Sequence, residues 1–194
     1  MAGRPKIFDE QEVISKASQI FWEKGYEAAS AEELLKAMGI GKGSFYLFFK
    51  GGKKELYEKS LHQFAGNLLS TLRKEIAESE NPFEYLKSTF LKLSDSNNKD
   101  KAKGCFMGNA LVEMAAKDQY AQEVITRQLF ELEKIFTDVI QTSKNRGIIK
   151  TVKSAELIGS HLLNLWNGIN VTKRMNMDDA SLAALIKFNF EIIE

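Results

Sequence analysis

Residues Ser30 to Lys54 read SAEELLKAMGIGKGSFYLFFKGGKK. Ser30 and Glu33 have the spacing of a capping box, in which two side chains satisfy the free backbone amides that begin a helix. A helix is therefore expected to start there, with Leu34, Leu35 and Met38 as its apolar face. Gly39 permits the positive φ that a sharp turn between two helices requires, and Ile40 fills the angle between them. The second helix, about Gly41 to Phe49, opens on Gly41, Lys42, Gly43 and Ser44, a segment slim enough to bring backbone close to a polyanion. Phe45, Phe48 and Phe49 are of core size. One anchored face and one open face make this stretch a helix-turn-helix suited to DNA.

Working outward, the charge is local rather than global. The 194-residue chain carries a formal net charge of +1, so whole-chain electrostatics do not argue for nucleic acid. Between Leu34 and Lys54, however, the charged residues are Lys36, Lys42, Lys50, Lys53 and Lys54, with no acid among them. Arg4 and Lys6 stand unopposed before Asp9. That is a cationic edge on a balanced protein. A hydrophobic fraction of 44% supports a small module joined to a larger one. No apolar run reaches membrane-spanning length and the first residues lack the apolar core of a secretory signal, so a cytoplasmic protein is expected. The single cysteine, Cys105, rules out an internal disulfide.

In chain order, helix follows helix. Gly3, Arg4, Pro5 and Lys6 make an arm of the kind that lies in a DNA minor groove, and they read equally well as an unstructured tail. Helix 1 is expected from Asp9, with Val13, Ile14, Ala17, Ile20 and Phe21 on one stripe and Gly25 as its C-cap. A long fourth helix, about Lys53 to Glu78, buries Tyr57, Leu61, Phe64, Leu68, Leu72 and Ile76. Asn81 and Pro82 start a fifth, Ser94 to Lys103 is a loop, and helices follow over about 104 to 116 and 120 to 145, the latter capped by Gly147. The last two, about Val152 to Arg174 and Asp178 to Ile193, are apolar on more than one face. Ile158, Leu162, Leu165 and Ile169, with Leu182, Leu185 and Ile186, are expected to pair with a second copy of the chain in a four-helix interface. The expected fold is all-α, about nine helices, with residues 1–52 as a DNA-binding head and 53–194 as a ligand-binding and dimerisation body.

The GRPK arm, the FWEKGYEAAS junction, the AMGIGKGSFYLFF turn and the start of helix 4 together resemble the tetracycline-repressor (TetR) family of bacterial regulators. The resemblance covers roughly the first third of the chain. A weaker one, in KGCFMGNALVEMA from Lys103 to Ala115, is to a "GC…GN" segment of one branch. The family resemblance implies an all-helical homodimeric regulator, usually a repressor, whose body binds a small molecule and whose head then leaves the operator. A palindromic site, and entry of the small molecule between helices 4 and 8, are expected with it. The resemblance also implies DNA contacts from Ser30, Lys42, Gly43, Ser44 and Tyr46, with Arg4 and Lys6 from the arm and Lys50, Lys53 and Lys54 on phosphates. Three departures stand out: Ala29 where relatives have threonine, Phe48 where they have tyrosine, and Gly51 and Gly52 with one extra residue before helix 4.

For the effector, Phe64, Leu68, Phe106, Met107, Met114, Phe130, Trp166 and Asn170 lie on expected inward faces, although such stripes are more often plain core. Trp166 and Asn170, one turn apart, pair a flat surface with an amide. Cys105 sits near a helix N-terminus, where free amides favour negative charge on sulfur. Two readings stand for it, a small buried apolar residue or a thiol that senses oxidants and electrophiles. No catalytic residue, metal site or cofactor is expected, because His62 and His161 have no ligand spacing and GIGKGS lacks that of a phosphate loop. A helical adaptor that binds protein would require the lysine-rich edge to be incidental.

Overall fold

The computed structural model describes residues 9–95 and 103–193. The expected arm, with Arg4 and Lys6, and residues 96–102 of the expected loop lie outside those residues. Among the described residues there are nine α-helices and no strand. The chain divides into two compact units, the first of residues 1–67 with 109–125, the second of 68–108 with 126–194.

The first unit begins with α1 (Glu10–Ala28), whose N-cap Asp9 accepts from the Gln11 amide. Val13, Ile14, Ala17 and Phe21 are buried at helical spacing, as their pattern requires. Gly25 ends the regular helix, as its position in the sequence leads one to expect: it takes φ 81° and ψ 175°, and a short second turn follows the kink to Ala28. Helix α2 (Ala31–Met38) carries the complete capping box of Ser30 and Glu33. Its C-terminus is a Schellman motif, since Gly39 (φ 69°) donates to the Lys36 carbonyl and Ile40 to that of Leu35. Helix α3 (Lys42–Phe48) follows, then α4 (Gly52–Glu78). Phe45, Phe49, Leu34, Met38, Leu56 and Tyr57 bury together with the α1 stripe.

The second unit is built on α5 (Pro82–Leu91), α8 (Ala155–Thr172) and α9 (Asp179–Glu191), with parts of α4, α6 (Phe106–Met114) and α7 (Gln119–Asn145). Asn81, Ser154 and Asp178 each cap the helix that follows them. Phe90 is the hub of the core, with ring centroids 5.5 Å from Phe136, 5.5 Å from Trp166 and 5.3 Å from Phe190. Gly147 (φ 69°) closes α7 in a second Schellman motif, in which Ile148 donates to the Ser143 carbonyl.

Candidate nucleic-acid interface

Helix α3 is held by Phe45, 6% exposed, and by Phe49, fully buried just beyond its end. The remaining side chains face outward. Lys42, Gly43 and Ser44 are exposed, and Tyr46 and Leu47 are 53% and 61% exposed. Phe48 is not wholly core as its size suggested, being 39% exposed. Leu47 drew no attention in the sequence, because an isolated leucine among phenylalanines reads as core. Lys42, Tyr46 and Lys53 line one cleft of about 340 Å³ with Leu34, Leu35 and Phe45. The structure thus brings three of the expected DNA contacts to one place.

The lysines of the edge differ in their commitments. Lys50 is exposed at the turn after α3. Lys53 places its ammonium 4.7 Å from the Tyr26 ring centroid and 3.3 Å from the Glu27 carbonyl. Lys54 is turned away from that edge. It pairs with Asp118 at 2.5 Å, which raises the lysine pKa and, from the other side, lowers that of Asp118. Ser30 is likewise engaged, accepting from the Glu33 amide at 3.2 Å. Glu33 is held at a pKa of about 2 by its hydrogen bond from Lys24 and then by those from Ser30. The departures also find reasons. Ala29 is fully buried, and Gly52 occupies left-handed space at φ 66°. The Gly51 amide donates to the Glu55 carboxylate at 2.8 Å, which lowers the pKa of that carboxyl.

The bend at Gly25 has a cause far along the chain. Glu113 accepts from the Tyr26 amide at 2.8 Å and from the Glu27 amide at 3.0 Å. Its carboxylate therefore caps the resumed turn of α1 as a terminal aspartate would. A Cβ at Gly25 would stand 2.9 Å from that carboxylate. Burial, then Glu113, raise the Tyr57 hydroxyl pKa nearby.

The expected effector residues scatter. Trp166, Asn170, Phe106 and Met107 are buried in the second unit, where the Asn170 amide donates to the Trp166 carbonyl. Leu68 is half-buried there. Phe130 is 60% exposed and so lies on the outside of α7. Phe64 packs on Trp22, and Met114 lines a 190 Å³ pocket with Tyr26, Tyr57, Lys54, Glu58 and Asp118, both within the first unit. The buried Trp166 Nε1 and Asn167 Oδ1 have no hydrogen-bond partner among the described residues. Cys105 is 7% exposed, and its Sγ accepts from the Gly108 amide at 3.4 Å, capping α6.

Comparison with known proteins settles the family. The chain matches the model for bacterial regulatory proteins of the tetR family over residues 13–59 and that for the tetracyclin repressor-like C-terminal domain over 83–188. The chain belongs to the TetR family. It is 31% identical to the transcriptional repressor ComR of Escherichia coli over 187 residues, 95% of this chain and 87% of ComR. It is 23% identical to the repressor DhaR of a Mycobacterium species over 184 residues, 94% and 91% of the two chains. Among solved structures, a cysteine mutant of the TetR family regulator CifR bound to 26-base-pair operator DNA matches with TM-score 0.80 and 21% identity, covering 97% and 98%. The reduced form of E. coli NemR matches with TM-score 0.79 and 15% identity, covering 92% and 96%.

As a TetR family member the protein is a transcriptional regulator with a DNA-binding helix-turn-helix, not an enzyme. Among the described residues, no helix is long and apolar enough to cross a membrane. Most of the residues expected at a subunit interface are covered within the single chain. Ile158, Leu162, Ile169, Leu182 and Ile186 are buried within the single chain, which leaves Leu165 half-buried and Leu185 at 38% exposed. Besides Leu185, the apolar residues left uncovered on α8, on α9 and at the C-cap of α9 are Leu157, Val171, Phe188 and Ile192, at 61%, 63%, 58% and 45%.

Proposed function

We propose that the protein is a sequence-specific repressor that binds a palindromic operator as a homodimer and is released by a small-molecule effector. Residues 1–52 bind DNA, and 53–194 dimerise and hold the effector. The observation that carries the reading is the outward face of α3, where Lys42, Ser44, Tyr46 and Leu47 are exposed beside Lys50. A two-fold dimer places two such helices about 34 to 36 Å apart, one turn of DNA, and so reads a palindrome. The uncovered stripe of α8, Leu157, Asn164, Gly168 and Val171, and that of α9, Leu185, Phe188 and Ile192, support the pairing of two helices from each subunit. For the effector, the support is the buried Trp166 Nε1, a donor that an acceptor-bearing ligand would satisfy. A coupling of about 1 to 3 kcal/mol between sites is enough to empty an operator.

The test is a gel shift against DNA flanking the protein's own gene, over a range of salt concentrations. A discrete complex that weakens steeply with salt is expected. Binding equal to that of unrelated DNA would refute the repressor reading.

A second reading concerns the signal. Cys105 stands at the start of α6, where its Sγ accepts the Gly108 amide hydrogen bond. The matched NemR structure is described as a reduced form and the CifR structure as a cysteine mutant. In this reading the Cys105 sulfur adds across the activated carbon–carbon double bond of an electrophile, the carbon–sulfur bond replacing the π bond and the thiol proton passing to the neighbouring carbon, and the operator is released. N-ethylmaleimide is then expected to abolish the gel shift of the wild type and spare that of Cys105→Ser. Equal loss or equal survival in the two proteins would leave Cys105 a core residue.

A further inference from the structure

We infer that Leu47 is a base-reading residue of this head and that it recognises thymine through the C5-methyl group. The inference rests on the proposal that α3 enters the major groove. At about 100° per residue, the direction opposite the buried Phe45 and Phe49 belongs to Gly43 and Leu47, one turn apart, with Ser44 beside them. These residues form the crest of the helix. Gly43 contributes no side chain, and a Cβ placed there would meet nothing within 4 Å, so the crest is slim at its N-terminal end and the helix can sit deep. Leu47 is then the first large side chain on the crest, 61% exposed.

A lone exposed leucine on a protein surface needs no explanation. This one stands at the point where the helix would meet base edges. Guanine, adenine and cytosine present hydrogen-bonding groups to the major groove, and only thymine adds a methyl. Leucine pressed on a polar edge strips that group of water and returns no hydrogen bond, an unfavourable exchange. Pressed on a methyl, it buries apolar area. Polar readout falls to the neighbouring Lys42, Ser44 and Tyr46.

The test begins with selection of duplexes from a random pool by the wild-type protein. In the enriched site, each thymine is then replaced in turn by deoxyuridine, which removes only the methyl group. One thymine per half-site is expected at which this replacement weakens wild-type binding roughly three- to tenfold. Leu47→Ala is expected to bind thymine and uracil duplexes alike at that position and to melt at the wild-type temperature, because the side chain is exposed. Leu47→Met, which keeps an apolar tip, is expected to retain the preference. Wild-type protein indifferent to uracil at every position, or Leu47→Ala with undiminished sensitivity, would overturn the assignment. Failure of the wild type to enrich any sequence would instead bring down the reading of α3 on which it rests.

Discussion

At the scale of single residues, Gly25 and Glu113 form a matched pair. Gly25 sits at φ 81°, where an L side chain is strained, and its missing Cβ leaves room for the carboxylate that caps Tyr26 and Glu27. Gly25→Ala should cost about 1 to 3 kcal/mol by urea denaturation. Glu113→Ala leaves two amides uncapped and should also destabilise. The double variant should cost less than the sum, because removing the carboxylate relieves the clash. Additive costs would show that the pair does not act as a unit. Lys50 and Lys54 give a second contrast. Lys54 is held by Asp118, whereas Lys50 is exposed at the end of the DNA-facing segment. Lys50→Ala should reduce the salt slope of operator binding by about one for each subunit, and Lys54→Ala should leave the slope unchanged. A slope lowered by Lys54→Ala and not by Lys50→Ala would reverse their roles.

At the scale of elements, α2 is short and depends on its cap. Ser30→Ala removes the hydroxyl that accepts from the Glu33 amide, a loss of roughly 1 kcal/mol for a helix N-cap. Glu33 adds a pH dependence. Its folded pKa, about 2, lies below the ordinary glutamate value of 4.5, so its contribution is present above pH 4.5 and is lost as the pH falls toward 2. The stability difference between wild type and Glu33→Gln, followed by thermal melting, should shrink across that interval. A constant difference would disconnect Glu33 ionisation from the fold. The same element shows what a sequence can disclose. The capping box, the Gly39 turn, Asn81 with Pro82, and Gly147 were all legible because their partners lie within a few residues. The short turn that follows the break at Gly25 was not, because the residue that caps it, Glu113, lies 87 positions from Tyr26. Lys54 looked free for DNA because its partner Asp118 is also remote in sequence. Leu47 was missed because exposure depends on which neighbours close around a helix.

At the scale of the whole molecule, the question is what covers the last two helices. Apolar residues on two faces of α8 predicted a second partner, and the chain's own core takes the face of Ile158, Leu162, Trp166 and Ile169. The apolar residues that α8 leaves uncovered in the single chain are Leu157 and Val171, which periodicity alone does not single out because it shows that apolar faces exist and not which of them look inward. On α9 and its C-cap the uncovered residues are Leu185, Phe188 and Ile192, spaced three and four apart as one stripe. If these stripes meet in a two-fold dimer, a charge in the middle of one is repeated in the other and the two face each other without solvent, an arrangement that burial penalises heavily. Phe188→Asp should therefore run as a monomer in light scattering at micromolar concentration while keeping wild-type helical content, since Phe188 is 58% exposed in the single chain. The consequence for DNA follows from valency. A dimer gains from the second half-site at the effective concentration set by its own linkage, and a monomer does not. Phe188→Asp should bind the full operator no more tightly than a half-site duplex, whereas the wild type should separate the two by at least about a hundredfold. A Phe188→Asp protein that remains dimeric would remove α9 from the interface, and one that is monomeric yet still prefers the full site would remove dimerisation from operator recognition.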